Sequence, residues 1–220
     1  MKKLAFALVA AVAAVGVQAS TVSFQYGLPI ALSTTEINQT GNLGLFDSTL
    51  GTLTGATITV FGESVMSFTG FNHGAAATTA KLTSTTDLAW TSSNAAVATF
   101  LTDDLLLTAT SGIQTYNPSQ TRSFGPFDIS GNNVDNLSTI LASLQTAGGG
   151  LFSVNCQSLS GIATSGGGGN IDTTQTTTAG CGASIIYTFD APQQLVPEPA
   201  SLALVGLALA GLAASRRRKA

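Results

Sequence analysis

The chain has 220 residues, a formal net charge of −3 and a mean hydropathy of +0.35, and only 9% of its residues are charged. Residues 20–190 hold two basic residues, Lys81 and Arg122, against ten acidic ones, so this central part carries a formal charge near −8. An acidic surface repels phosphate backbones, which excludes nucleic acid as a partner. About 176 residues lie between the two apolar ends, enough for one domain with its own core.

The N-terminus predicts a secretory signal peptide. Lys2 and Lys3 precede an apolar stretch, 4–17, that ends in the small residues of a cleavage site. The apolar stretch is shorter than the about 20 residues that a membrane-spanning helix requires. A cleaved signal over residues 1–19 is therefore favoured over a retained anchor, and we expect the cut between Ala19 and Ser20.

The residues after this site alternate between polar and apolar, which is typical of strands. We predict strands over 20–26 and 28–37. Residues 46–51 predict a turn, because Asp47 can cap the chain with its side chain and Gly51 is conformationally permissive.

The clearest strand is predicted over 52–61, because three apolar residues share one face: Ala56, Ile58 and Val60. Gly62 and Gly70 bracket a further predicted strand, 63–69, which suggests a β-meander.

The next predicted strand, 82–90, has Leu82, Leu88 and Trp90 on one face. A short apolar stretch follows at 95–101, and a strand over 105–110 comes after an acidic turn. Residues 124–127 are expected to break the sheet, because proline cannot donate to a central ladder.

One segment departs from the strand pattern. Five apolar residues recur at helical spacing: Val134, Leu137, Ile140, Leu141 and Leu144. With Asn133 as a cap and Gly148 as a stop, they predict a helix of about three turns. Strands are predicted again over 151–159 and 183–190.

The fold class that these elements predict is mainly β, a single antiparallel β-sandwich over 20–190 with one possible short helix. Threonine occurs 31 times, and its alternation with Val, Ile and Phe is a strand composition. No repeat of 40–50 residues indicates a propeller.

Cys156 and Cys181 are the only cysteines, and both lie in the part predicted to be exported. In an oxidising compartment they are expected to pair. The disulfide would close a loop of about 25 residues and stabilise the fold by roughly 3 kcal/mol. Two sulfurs without a neighbouring histidine fall short of a zinc site, so no metal is predicted.

Catalytic chemistry has few candidates. His73, the only histidine, is either half of a Ser-His pair or a solvated turn residue, and we favour the turn residue. The adjacent carboxylates Asp103 and Asp104 would point to opposite faces of a strand, so they could not act together as a glycosidase pair. We predict that they form a solvated turn. Oxygen ligands over 128–135 lack EF-hand spacing for calcium. The glycine run 166–169 predicts a flexible loop tip. We expect no enzyme activity and no cofactor.

The C-terminus predicts a membrane stop. A proline-rich linker, 191–199, leads into the uncharged apolar run 200–214 and a basic tail, 215–220. At about 1.5 Å per residue the apolar run spans about 22 Å, against a hydrocarbon core of about 30 Å, so it is a marginal anchor. The basic cluster fixes the cytoplasmic side. Its members are Arg216, Arg217, Arg218 and Lys219.

This order of parts, with Pro197-Glu198-Pro199 before the apolar run and the basic cluster after it, resembles the PEP-CTERM sorting signal of Gram-negative bacteria that make exopolysaccharide. The resemblance implies an exosortase-type membrane protease as partner, with cutting near the motif. Residues 46–53 and 57–60, with the closing strand, resemble the choice-of-anchor E domain of bacterial surface proteins.

Three functions follow as hypotheses. The first is a non-enzymatic surface or matrix protein that passes through the inner membrane to the cell surface or medium, in association with exopolysaccharide or biofilm. The second is a carbohydrate-binding module, which would need exposed aromatic platforms. The platform candidates are Trp90, Tyr116 and Tyr187. The third is a hydrolase, which would need His73 within about 3 Å of a hydroxyl or carboxylate.

Overall fold

The computed structural model describes residues 19–192 together with 206, 207 and 209. The described chain forms two β-sheets packed face to face, which confirms the mainly β sandwich. The strands are β1 (Ala19–Tyr26), β2 (Ser33–Thr34), β3 (Asn38–Asp47), β4 (Thr52–Asn72), β5 (Thr78–Ser92), β6 (Leu105–Tyr116), β7 (Thr121–Asn136), β8 (Gln145–Thr146), β9 (Gly150–Gly166) and β10 (Ile171–Asp190).

The first sheet has the order β1-β10-β4-β7, with β2 also paired to β10, and the second has the order β6-β5-β9-β3-β8. Neighbouring strands are antiparallel except for the short β3–β8 pair. The long strands β4 and β10 pair along all 20 residues of β10, which at about 3.3 Å per residue measures roughly 66 Å. The sandwich therefore has two well-separated ends.

Alternation places the core as the sequence predicts. Ile58 and Val60 of β4 are buried, as are Ile185 and Tyr187 of β10. The predicted inward face of β5 is buried along its whole length: Leu82, Ser84, Thr86, Leu88 and Trp90. Their partners on the opposite sheet complete one continuous apolar cluster between the sheets.

The predicted break at Gly62 is wrong, because β4 runs unbroken from Thr52 to Asn72. A Cβ at Gly62 would overlap the Leu88 side chain, so this glycine marks a close approach of the two sheets. The predicted breaker at 124–127 is also wrong. β7 is an edge strand, and its pairing with β4 is irregular between Met66 and Phe68, which accommodates Pro126.

The predicted helix over 133–148 is wrong as well. Val134 belongs to β7, and only a short 3₁₀ helix, Leu141–Leu144, forms in this segment. The α-helix of the described chain, α1 (Ala95–Ala98), lies in the apolar stretch 95–101, where Asn94 caps it by accepting from the backbone N–H groups of two of its residues.

The strand predicted over 28–37 shrinks to β2. The rest of this segment crosses from one sheet to the other, because the Thr35 N–H donates to the Thr177 carbonyl of β10 while the Ile37 carbonyl accepts from Ser158 of β9. A segment that changes sheets cannot pair along its length with either one.

Candidate functional site

The sorting residues themselves, Pro197, Glu198 and Pro199 with the basic cluster Arg216–Lys219, lie outside the described residues. What the structure places is the point where they leave the domain. β10 ends at Asp190, whose register partner in β1 is Ala19, and Ser20 pairs with Phe189. The predicted signal cleavage site and the start of the C-terminal linker therefore lie side by side, at what we call the terminal end of the sandwich.

The terminal end is built tightly around this pair of strands. Gly51 has a φ of +146°, and a Cβ on it would overlap the Asp190 carbonyl oxygen. The preceding turn is the predicted one: Asp47 Oδ1 accepts from the Thr49 N–H at 2.9 Å and from the Gly148 N–H at 2.9 Å. These bonds, with that of the Thr49 hydroxyl, lower the pKa of Asp47. The turn thus holds the end of β3 against the loop before β9.

The predicted disulfide is confirmed. Cys156 of β9 and Cys181 of β10 are bonded, with their Cα atoms 6.5 Å apart. Because β9 and β10 belong to different sheets, the bond ties the two layers together across the core. Both cysteines are buried, and the Cys181 N–H donates to the Gln39 side-chain oxygen at 3.1 Å.

The far end of the sandwich, which we call the distal end, is organised by a residue that sequence reasoning missed. Asn72 is fully buried at the end of β4 and donates to the carbonyl oxygens of Ala76, Tyr116 and Asn117. One amide thereby joins the β4–β5 turn to the β6–β7 turn. An isolated asparagine at the end of a strand gives no sequence signal for this role.

His73 follows Asn72 in the distal turn, as predicted. Its Nδ1 lies 3.0 Å from Asp172 Oδ2, and the two side chains are 45% and 70% exposed. This pair meets the distance required of a hydrolase base and its carboxylate. Among residues 19–192, however, no hydroxyl is hydrogen-bonded to the other ring nitrogen, so the structure shows no nucleophile in place.

The three aromatic candidates for sugar platforms are not on the surface. Trp90 is 4% exposed, and Tyr116 and Tyr187 are fully buried. Tyr187 donates its hydroxyl to the Gly44 carbonyl at 2.8 Å, and burial raises the pKa of Tyr187 above its ordinary value. These side chains pack the core, so they do not form the exposed platforms that the carbohydrate-binding hypothesis requires.

The acidic pair Asp103 and Asp104 forms a turn, as predicted. Asp103 and Asp104 lie in the exposed turn before β6. Asp128 and Asp135 are on the edge strand β7, and burial, with the charge of Asp103, raises the pKa of Asp135. Across the described ranges, no three His, Cys, Asp or Glu residues are grouped to hold a metal ion.

The glycine run forms a 3₁₀ turn, Gly167–Gly169, between β9 and β10.

Comparison with known proteins identifies the C-terminal signal. Residues 195–219 match the PEP-CTERM protein-sorting motif. No curated protein matches the chain, and the resemblance to the choice-of-anchor E domain is not confirmed. In the parts of the chain that the structure describes, no helix has the length and apolarity to cross a membrane.

Two similar solved structures are viral proteins. The tobacco streak virus coat protein is 11% identical, with 82% of this chain and 92% of that chain covered and a TM-score of 0.21. The infectious bursal disease virus Gx strain is 11% identical over 88% of this chain and 46% of that chain, with a TM-score of 0.15. Scores this low carry no argument about function.

The motif and the fold together define a class: a β-sandwich protein whose C-terminus marks it for export and for membrane anchoring before sorting to the cell surface. The motif implies processing by an exosortase-type membrane enzyme.

Proposed function

We propose that this protein is a non-enzymatic surface or matrix component, cut at both ends and associated with exopolysaccharide or biofilm. The observation that carries the proposal is the sorting motif at 195–219. Support also comes from the disulfide, which suits an oxidising compartment, and from a surface whose few charges leave hydroxyls and amides as its main polar groups.

The terminal end adds an orientation to this proposal. Because Ala19 and Asp190 are partners, both unprocessed segments leave the sandwich at one end. While the apolar segment 200–214 is in the membrane, this end faces the bilayer. The distal end, with the Asn72 turn and the His73–Asp172 pair, then projects roughly 66 Å outward, the length of β10. Tail removal would release the domain from this position.

The test is an intact-mass measurement on protein from the inner membrane, the cell surface and the culture medium of the same cells. We expect loss of residues 1–19 in all three fractions, and loss of the C-terminal segment in the surface and medium fractions only. A Glu198→Ala variant should keep its tail in the membrane fraction. Secreted protein with an intact C-terminus would contradict the proposal.

The one observation that favours a hydrolase is the 3.0 Å distance between His73 and Asp172. A screen of the wild type against ester and glycoside substrates, with His73→Ala as the matched variant, decides between the two functions. Turnover that disappears in His73→Ala would replace the structural role with an enzymatic one.

A further inference from the structure

The outer face of the second sheet carries a groove of about 380 Å³ that no part of the proposed function uses. Its floor is Asp87 of β5, whose register partners are Leu106 of β6 on one side and Leu159 of β9 on the other. The two leucines are 60% and 68% exposed. A carboxylate thus lies between two exposed apolar side chains of the neighbouring strands.

The groove is strongly negative. Glu36, from the segment that crosses between the sheets, and Asp104, from the turn before β6, line it together with Asp87. One oxygen of Asp87, Oδ1, is buried and has no hydrogen-bond donor among residues 19–192. Burial, and then the charge of Asp104, raises the pKa of Asp87, which indicates that its negative charge is poorly compensated.

The negative charge extends past the groove. Asp103 adjoins it in the same turn as Asp104, so four of the ten acidic residues of the domain lie in or next to the groove. Neither basic residue of the domain neutralises them. Lys81 is six residues from Asp87 along β5, about 20 Å, and Arg122 donates to the Thr115 carbonyl oxygen.

We propose that this groove is a docking surface for a basic, extended segment of a partner protein, in which an arginine or lysine side chain lies between Leu106 and Leu159 and reaches Asp87. Such a side chain combines an apolar stem with a cationic head. The stem would cover the leucines while the head pairs with the Asp87 carboxylate. The inference does not depend on the proposed matrix function.

Two other occupants fit less well. A neutral glycan brings no positive charge to the three carboxylates and no apolar stem to the two leucines. A bare metal ion would need converging ligands, and the described residues hold no such group of three. Charge complementarity and the apolar flanks therefore favour a peptide.

The test uses the full-length protein in a non-ionic detergent and the synthetic peptide acetyl-Leu-Arg-Leu-Arg-Leu-Arg-amide, with binding measured by calorimetry at low salt. The groove variant is Glu36→Gln with Asp87→Asn. Its matched control, Glu63→Gln with Asp128→Asn, removes the same charge from the outer face of the first sheet. We expect the groove variant to weaken binding roughly fivefold, as for two half-exposed ion pairs, and the control to bind like the wild type.

A second pair of variants keeps the test independent of the carboxylates. Leu106→Ser should weaken binding about threefold through lost apolar contact, whereas Ile113→Ser, at an even more exposed position of the same strand, should not. Equal loss in groove and control variants, or no binding by the wild type, would overturn the proposal. So would equal binding of a peptide with citrulline in place of arginine. Circular dichroism checks that each variant is folded.

Discussion

Removal of the Cys156–Cys181 bond should destabilise the domain by a calculable amount. The bond closes a loop with a sequence separation of 25 residues. The loop-entropy relation assigns such a loop about 3.5 kcal/mol at 25 °C, because the unfolded chain loses that much freedom when it is cross-linked. For a domain of this size, that free energy corresponds to a fall in Tm of roughly 7–14 °C.

The assay is urea unfolding of the Cys156→Ala, Cys181→Ala double variant, followed through the fluorescence of Trp90, which is the only tryptophan and is buried. The control is wild-type protein unfolded, reduced and refolded in reductant, since it keeps both sulfur atoms and their volume. We expect both samples to lose about 3.5 kcal/mol in the free energy of unfolding. A loss under about 1 kcal/mol in the reduced wild type would refute the loop-entropy reasoning.

Two further predictions concern packing and pH. Gly62→Ala should lower the free energy of unfolding by about 1–3 kcal/mol, because the new Cβ would overlap Leu88. Gly55→Ala, whose Cβ would make only ordinary contacts, should leave stability unchanged or raise it. In a double-mutant cycle, Leu88→Ala should relieve part of the destabilisation caused by Gly62→Ala. Burial raises the pKa of Tyr26 to about 12 and that of Tyr187 further. The folded state therefore holds these protons more tightly than the unfolded state, whose tyrosines titrate near 10. Stability is fully present below pH 10 and should fall as the pH rises from about 10 to 12; urea midpoints across that range check this, and a Tyr26→Phe variant should show a shallower fall.

Strand faces were predictable from the sequence because a side chain in a strand meets the same environment as its neighbours two residues away. The faces of β4, β5 and β10 follow this rule, with Ile58, Leu88 and Ile185 in the core. The disulfide was predictable for a different reason: two cysteines in an exported domain have only each other as partners.

The errors arose where a residue's role depends on a distant strand. Gly62 looks like a strand end until Leu88 is placed opposite it. The apolar spacing over 137–144 is helical, but the hydrogen bond from the Leu137 N–H to the Ala56 carbonyl, at 2.8 Å, continues the sheet ladder instead. A ladder with a partner in place outweighs local helix propensity.

The acidic groove could not be predicted either, because it is assembled from residues of separate strands and loops. Glu36, Asp87 and Asp104 are widely separated in the sequence, and only the register of β5 with β6 and β9 brings the carboxylates beside the two leucines. Each acidic residue alone looks like an ordinary solvated charge. The role of Asn72 at the distal end could not be predicted either, because its three acceptors lie in the β4–β5 turn, at the end of β6 and in the turn that follows.

The full pairing of β10 with β4 has a mechanical consequence. A load applied at the far end of the domain and resisted at the tail would pull β10 lengthwise, so its ladder bonds with β4 would be sheared together instead of opening one after another. Cys181 would pass part of that force into the second sheet through Cys156. For as long as the C-terminal segment anchors the chain in the membrane, this arrangement would resist drag on the domain.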